Sequence, residues 1–358
     1  MKQRIIIGGL LFGIALSAAQ LWAAHHLKLA SGEVEVLYEF VDPDPGEFAS
    51  PEGIAFDQAG NMYISLRTKT SDTFVNIGNE VIKLTPAGEE SVLADLGPIA
   101  AEGAGLLGLE TDAMGNVYAA FSSNNENHGV WKISADGEME LLAGSDQILA
   151  PNGLTFDARG NLYVTDSRPD PEDGTGVWRY GREEKVFEPW ASHPLLLTGG
   201  PQVGANGIVF DPPNHLYVAN TQENLVAHVT VNTDGSAGEV SLLAAGPPVI
   251  FPDGLALDAH GNVYVAIPVS TFPAFIPLPP TAPVLRIVPE TGVVEPILPL
   301  DFPDGDYFDF PTSLAFGKGP WDHESVYVVG ISQAGYGLPA TGPKLTQVGV
   351  GIPGQTRP

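Results

Sequence analysis

Short apolar runs, bounded by clusters of Gly, Asn, Asp and Pro, recur along the chain from residue 34 onward. Some alternate apolar and polar positions, as Val-Glu-Val-Leu-Tyr-Glu-Phe does at 34–40. Aromatic and β-branched residues dominate them, which marks strands rather than helices. No stretch outside the first 24 residues holds a helical period over a dozen positions. The runs fall into groups of four. The first group predicts strands at 53–57, 61–66, 80–85 and 90–96, separated by turns at 58–60 and 86–88 among others.

One heptapeptide opens each group. It occurs at 51–57, 106–112, 151–157, 205–211, 252–258 and 311–317, and its second residue is Glu52, Leu107, Asn152, Asn206, Asp253 and Thr312 in turn. Successive copies are 45 to 59 residues apart. Self-similarity at that spacing predicts a propeller, in which each unit buries its core only against its neighbours. The expected fold is therefore all-β: a six-bladed β-propeller, four antiparallel strands per blade, over residues 33–352, with a short tail at 353–358. The sixth group lacks a fourth strand. The run at 34–40 precedes the first repeat and can supply it, closing the ring and removing its free edges.

This topology sorts the connections. Short turns, many of them Gly-Asn pairs, lie on one face and read as hairpins. The long segments 67–79, 122–128, 166–175, 190–205, 267–283 and 331–343 lie on the other, the expected working face. The second residue of every heptapeptide starts an innermost strand on that face, beside the axis.

Charge narrows the function. Sixteen basic against 43 acidic residues give a net charge of −27, which excludes a nucleic-acid-binding role and favours cations. There is no cysteine, so no disulfide, thiolate metal site or cysteine nucleophile exists. Lys2 and Arg4 precede an apolar stretch ending in Ala23-Ala24, the pattern of a signal peptide over residues 1–24. The expectation is a secreted or periplasmic monomer, touching a membrane only if that leader stays uncleaved as an anchor.

Four heptapeptide positions carry oxygen donors: Glu52, Asn152, Asn206 and Asp253. Placed at one height around the axis, they offer two carboxylates and two amide carbonyls, a set suited to Ca²⁺ and less to zinc. Asn-Gly and Asp-Gly are also ordinary turn dipeptides, but Glu52 has no such preference and the four positions are equivalent. Asp166, Asn220 and Arg67 end second strands nearby and are candidates for substrate contact or for capping loops. His128 sits on a working-face loop. No Gly-x-Ser-x-Gly elbow is present. The segment 267–283, rich in proline, brings Phe272 and Phe275 to the same face as an apolar lid, or as a cover for blade six.

With Pro-Glu-Gly at 51–53, Pro-Asn-Gly at 151–153, Ala-Asn-Gly at 205–207 and Pro-Asp-Gly at 252–254, each followed by an apolar strand, the chain resembles the senescence-marker-protein/gluconolactonase/luciferin-regenerating-enzyme-like superfamily. The resemblance implies a six-bladed propeller with a divalent metal, usually calcium, held by Glu52, Asn152, Asn206 and Asp253. It implies that Asp253 also serves as base or nucleophile, and that the activity is hydrolysis of a lactone or related ester, or of an organophosphate, as a small-molecule substrate. Sugar lactonases of this kind commonly carry an Arg two residues before the first Asn. Ala150 stands there, which points to a more hydrophobic, non-sugar substrate. The competing expectation is a non-catalytic propeller that binds a ligand or partner around a structural calcium ion.

Overall fold

The structure, a computed structural model, describes residues 28–40, 44–70, 75–98, 104–169, 174–198, 203–268, 282–299, 307–331 and 342–356. They form six four-stranded antiparallel sheets, each ordered from the axis outward as the chain runs, except the last. Blades one to five span 47–95, 105–141, 151–191, 205–245 and 255–296. Blade six combines Pro311–Phe316, Ser325–Gly330 and Lys344–Gly349 with Val34–Glu39 as its outermost strand. Val34 pairs with Val348 and Glu39 with Lys344, across a bulge between Val36 and Tyr38. The ring is thus closed by the two ends of the chain, as the orphan strand at 34–40 predicts.

What holds the ring is apolar packing between blades. Six buried clusters lie one at each blade interface. Ala55, Tyr63 and Val81 of blade one meet Leu106, Val117 and Phe121 of blade two. Leu37, Trp321 and Tyr327 meet Ile54 and Phe56 across the closing interface. Alternation along each strand explains this: successive side chains face opposite neighbours, so every blade has two apolar faces and no solvent face. Among the described residues helix is confined to 3₁₀ turns at Ser145–Gln147 and Pro194–Leu196 and to single helical residues at Pro268 and Tyr307.

The far-face hairpins share one device. Asp57 accepts from the backbone N–H of Asn61 at 2.8 Å, from its side-chain amide at 2.7 Å, and from the Tyr63 hydroxyl at 3.0 Å. Asp112, Asp157 and Asp258 repeat this with Asn116 and Tyr118, Asn161 and Tyr163, Asn262 and Tyr264. The glycine before each Asn has φ between +78° and +86°, a conformation that costs glycine little.

Blade one departs from expectation. A long loop is expected at 67–79, yet the strands Met62–Thr70 and Asn76–Leu84 extend into it from both sides, beside Glu47–Phe56. Ser50 pairs with Arg67, Phe48 with Lys69 and Glu47 with Thr70, and Lys69 pairs on its other side with Asn76. The four positions from Pro51 back to Glu47 add roughly 13 Å to the ladder at about 3.3 Å per residue. A wall therefore rises above the axial ring at blade one.

Candidate functional site

Four of the six heptapeptides interrupt their own ladder in the same way. Pairing between the first and second strands skips from Pro51 to Ile54, Leu106 to Leu109, Pro151 to Leu154 and Ala205 to Ile208. Such a bulge releases two residues from the pleat and re-aims a side chain. Here the released pair is the donor residue and its glycine. The glycines are there because neighbouring inner strands nearly touch. A Cβ on Gly53 would lie 2.5 Å from the Leu107 carbonyl oxygen; on Gly108, 2.4 Å from that of Asn152; on Gly153, 2.4 Å from that of Asn206; on Gly207, 2.2 Å from that of Asp253. Gly254 closes against Thr312 and Ser313, and the Thr312 hydroxyl donates to the Glu52 carbonyl at 3.0 Å. The six positions therefore form one contiguous ring in chain order, with Leu107 and Thr312 as its two members lacking a carboxylate or amide.

All four donor residues are buried, with 5 to 9 % of each exposed. Burial raises the pKa of Glu52, against the charges of Arg67 and Lys69. Asp253 is pushed well above the carboxylate range, by burial first and then by the charge of Glu52, while Arg67 and a hydrogen bond from Asn206 act the other way. Asp253 thus senses the charge of Glu52 across the ring, and a cation beside these two buried carboxyls would favour the ionised form of both.

The amides are oriented from behind. Asn152 donates through Nδ2 to the Ser167 hydroxyl at 3.0 Å, and that hydroxyl donates to the Ala205 carbonyl at 2.7 Å. Asn206 donates to the Thr221 hydroxyl at 3.0 Å, which donates to the Pro252 carbonyl at 2.7 Å. Each hydroxyl therefore ties one donor residue to the backbone just before the next. With the nitrogen held by strand two, the planar amide leaves its carbonyl oxygen for an axial cation. An all-oxygen set of two carboxylates and two amides fits Ca²⁺ in charge and hardness. Among the described residues no group of three or more His, Cys, Asp and Glu gathers as a metal site, so amide oxygens must complete any such shell. Below the ring an axial cavity of about 110 Å³ runs between Ala55, Leu109, Leu154, Ile208, Leu255 and Leu314.

The other candidates are placed as follows. Asp166 spends its carboxylate on the backbone N–H groups of Leu149, Ala150 and Arg168, each near 3.0 Å. Asn220 donates to the Leu195 and Leu197 carbonyls and accepts from the Glu223 N–H. His128 accepts from the Ser123 N–H at Nδ1, so its Nε2 carries the proton and donates to the Ile148 carbonyl at 2.6 Å. All three hold loops by backbone contacts. Arg67 bonds the Ser50 carbonyl and hydroxyl and the Ala104 carbonyl, clamping blade one to blade two, and its charge reaches both axial carboxyls. Phe272, Phe275 and most of the segment 267–283 lie outside the described residues, as does the leader at 1–24. Among the described residues no helix is long and apolar enough to cross a membrane. Sequence reasoning missed Ser167, Thr221 and Lys69. The two hydroxyls follow the second strand at the same offset from their Asn, 15 residues in each case, and that offset was the available signal.

Fold and ring together define a class: six-bladed propellers with oxygen donors converging on the axis. The model of the SMP-30/Gluconolactonase/LRE-like region matches residues 68–273, more than half of the chain, and the chain belongs to that family. Among solved structures, a gluconolactonase from Xanthomonas campestris is 18% identical, with 91% of each chain covered and a TM-score of 0.58. A luciferin-regenerating enzyme is 16% identical over 91% of this chain and 98% of its own, with a TM-score of 0.57. Regucalcin from Agrobacterium tumefaciens, described as a calcium-binding protein, is 17% identical over 89% of this chain and 97% of its own, also at 0.57. At these identities the likeness shows the fold alone. No curated protein sequence matches the chain.

Proposed function

We propose that this propeller is a calcium-dependent hydrolase of lactone or related ester bonds. The observation that supports it best is the pair Glu52 and Asp253, two buried carboxyls of which the first raises the pKa of the second, in one ring with two amides held from behind by hydroxyls. Bound calcium would polarise the carbonyl oxygen of the substrate and offset the negative charge that develops there. Glu52, Asn152, Asn206 and Asp253 would hold it. Asp253 would be held ionised by the bound cation and, as a carboxylate at the ring, is placed to accept a proton from water. Water adds through oxygen to the carbonyl carbon and its proton passes to Asp253. The acyl–oxygen bond then breaks, and the proton moves to the departing alkoxide. The Arg67 charge, within reach of Glu52 and Asp253, keeps the ionised forms accessible in a buried ring.

A gluconolactonase and a calcium-binding regucalcin among the similar folds, together with the family match, support lactone chemistry and calcium. Ala150, where an Arg is expected for sugar lactones, supports a less polar substrate. The leader pattern at 1–24 supports export, and we take the exported chain to act as a monomer. The rival reading, a non-catalytic binding propeller around a structural ion, draws on one finding: Asp166, Asn220 and His128 are all engaged by loop backbone rather than left for substrate.

The deciding experiment assays lactones, aryl esters and phosphotriesters with calcium and with a chelator, for the wild type and Asp253→Ala. Calcium-dependent turnover lost in Asp253→Ala is expected. Calcium binding with no turnover on any of them would transfer the protein to the binding class.

A further inference from the structure

Lys69 is the one charged side chain near the ring for which the described residues supply no hydrogen-bond or ion-pair partner. It stands two residues beyond Arg67 on the second strand of blade one. Side chains alternate along a strand, so Lys69 shares a face with Tyr63, Ser65 and Arg67. That face is turned toward blade two and the axis. Tyr63 packs in the cluster between blades one and two, the Ser65 hydroxyl accepts from the Gly53 N–H in the ring, and Arg67 reaches the Ala104 carbonyl. The opposite face, carrying Met62, Ile64 and Leu66, packs toward blade six. Lys69 is thus carried on the raised wall, above Glu52 and beside the ring position held by Leu107.

The placement is costly. Burial, and then the charge of Arg67, push the Lys69 ammonium down to about 7, with only Glu52 acting to raise it. Only 16 residues of this chain are basic, against 43 acidic. Two of the 16 stand side by side over a ring that already holds cation-binding oxygens, and one of them is left unpaired. Arg67 is consumed by backbone and hydroxyl contacts and acts as a fixed charge. The long, flexible stem of Lys69 leaves its three N–H donors for something else. A half-buried cation with no close partner among the described residues has lost part of its hydration, which an anionic ligand can replace. The ring position next to this face, Leu107, supplies no donor and packs toward blade three.

We propose that Lys69 is the recognition group for an anionic arm of the substrate, so that the ester or lactone taken by this site carries a carboxylate remote from the scissile bond. This rests on the hydrolase reading for the word ester, but the anion site itself does not. It is compatible with a substrate otherwise apolar: one carboxylate pairs with Lys69, the acyl oxygen faces the ring, and the remainder contacts the walls.

Two measurements separate the claims. First, benzoate and benzamide are titrated by calorimetry into the whole protein, with calcium and with chelator, for the wild type, Lys69→Gln and Lys69→Arg. Benzoate is expected to bind the wild type with benzamide weaker, Lys69→Gln to lose at least about tenfold in benzoate affinity, and Lys69→Arg to keep most of it. A thermal melt confirms that each variant is folded; Lys69→Gln is expected to melt no lower than the wild type, since it removes a half-buried charge that stands beside Arg67. Second, an aryl ester of glutaric acid with one free carboxylate is compared with the uncharged aryl ester of equal chain length. The wild type is expected to favour the charged ester, and Lys69→Gln to raise KM for it at least about tenfold while leaving the neutral ester within about twofold. Benzoate binding that ignores the Lys69→Gln change, or equal losses on both esters, overturns the proposal. Lys69-dependent benzoate binding with no turnover of either ester upholds the anion site and rejects the hydrolase reading.

Discussion

The side-chain amide of Asn206 donates to the hydroxyl of Thr221 at 3.0 Å, and Thr221 in turn donates to the carbonyl of Pro252, the residue before Asp253. One hydroxyl therefore sets the orientation of one donor and the backbone of the next. Ser167 does the same between Asn152 and Ala205. Replacing either hydroxyl leaves every first-sphere oxygen in place but frees an amide to rotate. Thr221→Val is expected to weaken calcium binding roughly tenfold, the usual effect of removing an outer partner. Calcium titration followed by calorimetry checks it, with Thr221→Ser expected to bind as the wild type does.

The raised pKa values of Glu52 and Asp253 make the metal-free fold sensitive to pH in a definite direction. Folded-state values above the unfolded ones mean that the stabilising contribution is complete below the ordinary carboxylate range. It is lost as pH rises through the raised folded values. With a chelator present, the melting temperature should fall as pH is raised from about 4 to about 6.5, a window below the titration of Lys69. Glu52→Gln should flatten this slope, because it removes one carboxyl and its repulsion of the other. Saturating calcium should flatten it too, and should raise stability by about 2.7 kcal/mol at a hundredfold excess over Kd. A chelated wild type whose stability rises over this window would show that the carboxyls are not held as described.

Ring closeness gives a third test. A methyl on Gly207 would lie 2.2 Å from the Asp253 carbonyl oxygen, with backbone atoms of Gly254 and Leu255 at 2.9 Å. None of these is a flexible side-chain end, so the strand must shift. Gly207→Ala is expected to cost more than about 2 kcal/mol in denaturant unfolding and to impair calcium binding together with stability. Gly115→Ala is the control. Its φ of +80° strains any side chain, but nothing lies within 4 Å, so about 1 kcal/mol and unchanged calcium affinity are expected.

Closure of the ring can be tested by removing it. Deleting residues 33–40 strips Leu37 and Phe40 from the cluster between blades six and one and exposes the edge of Lys344–Gly349. A loss of at least about 3 kcal/mol, comparable to deleting large core side chains, is expected along with aggregation through the bare edge. Equal melting temperatures for the deleted and full chains would mean that the closing strand is dispensable.

Much of this was legible in the residues because it is local and repeated. A period near 50, strands punctuated by Gly-Asn turns and an orphan strand before the first repeat were enough to determine six blades, their order and their closure. The alignment of Glu52, Asn152, Asn206 and Asp253 within one heptapeptide determined that they share a height on the axis, since equivalent repeats place equivalent residues alike. What only the tertiary structure decided lies where the repeats differ. Along the chain Asp166 and Asn220 read equally as substrate contacts or loop caps, and His128 only as a loop histidine; in the fold, loop backbone at Leu149, Ala150, Leu195, Leu197, Ser123 and Ile148 engages all three. The segment 67–79 looks like a loop, yet cross-strand pairing with 47–50 extends a ladder that local propensity does not reveal. Lys69 reads as one more solvated lysine. Its depressed pKa comes from burial and from the charge of Arg67, against that of Glu52, and the field at a side chain depends on what surrounds it in space, not on its neighbours in sequence.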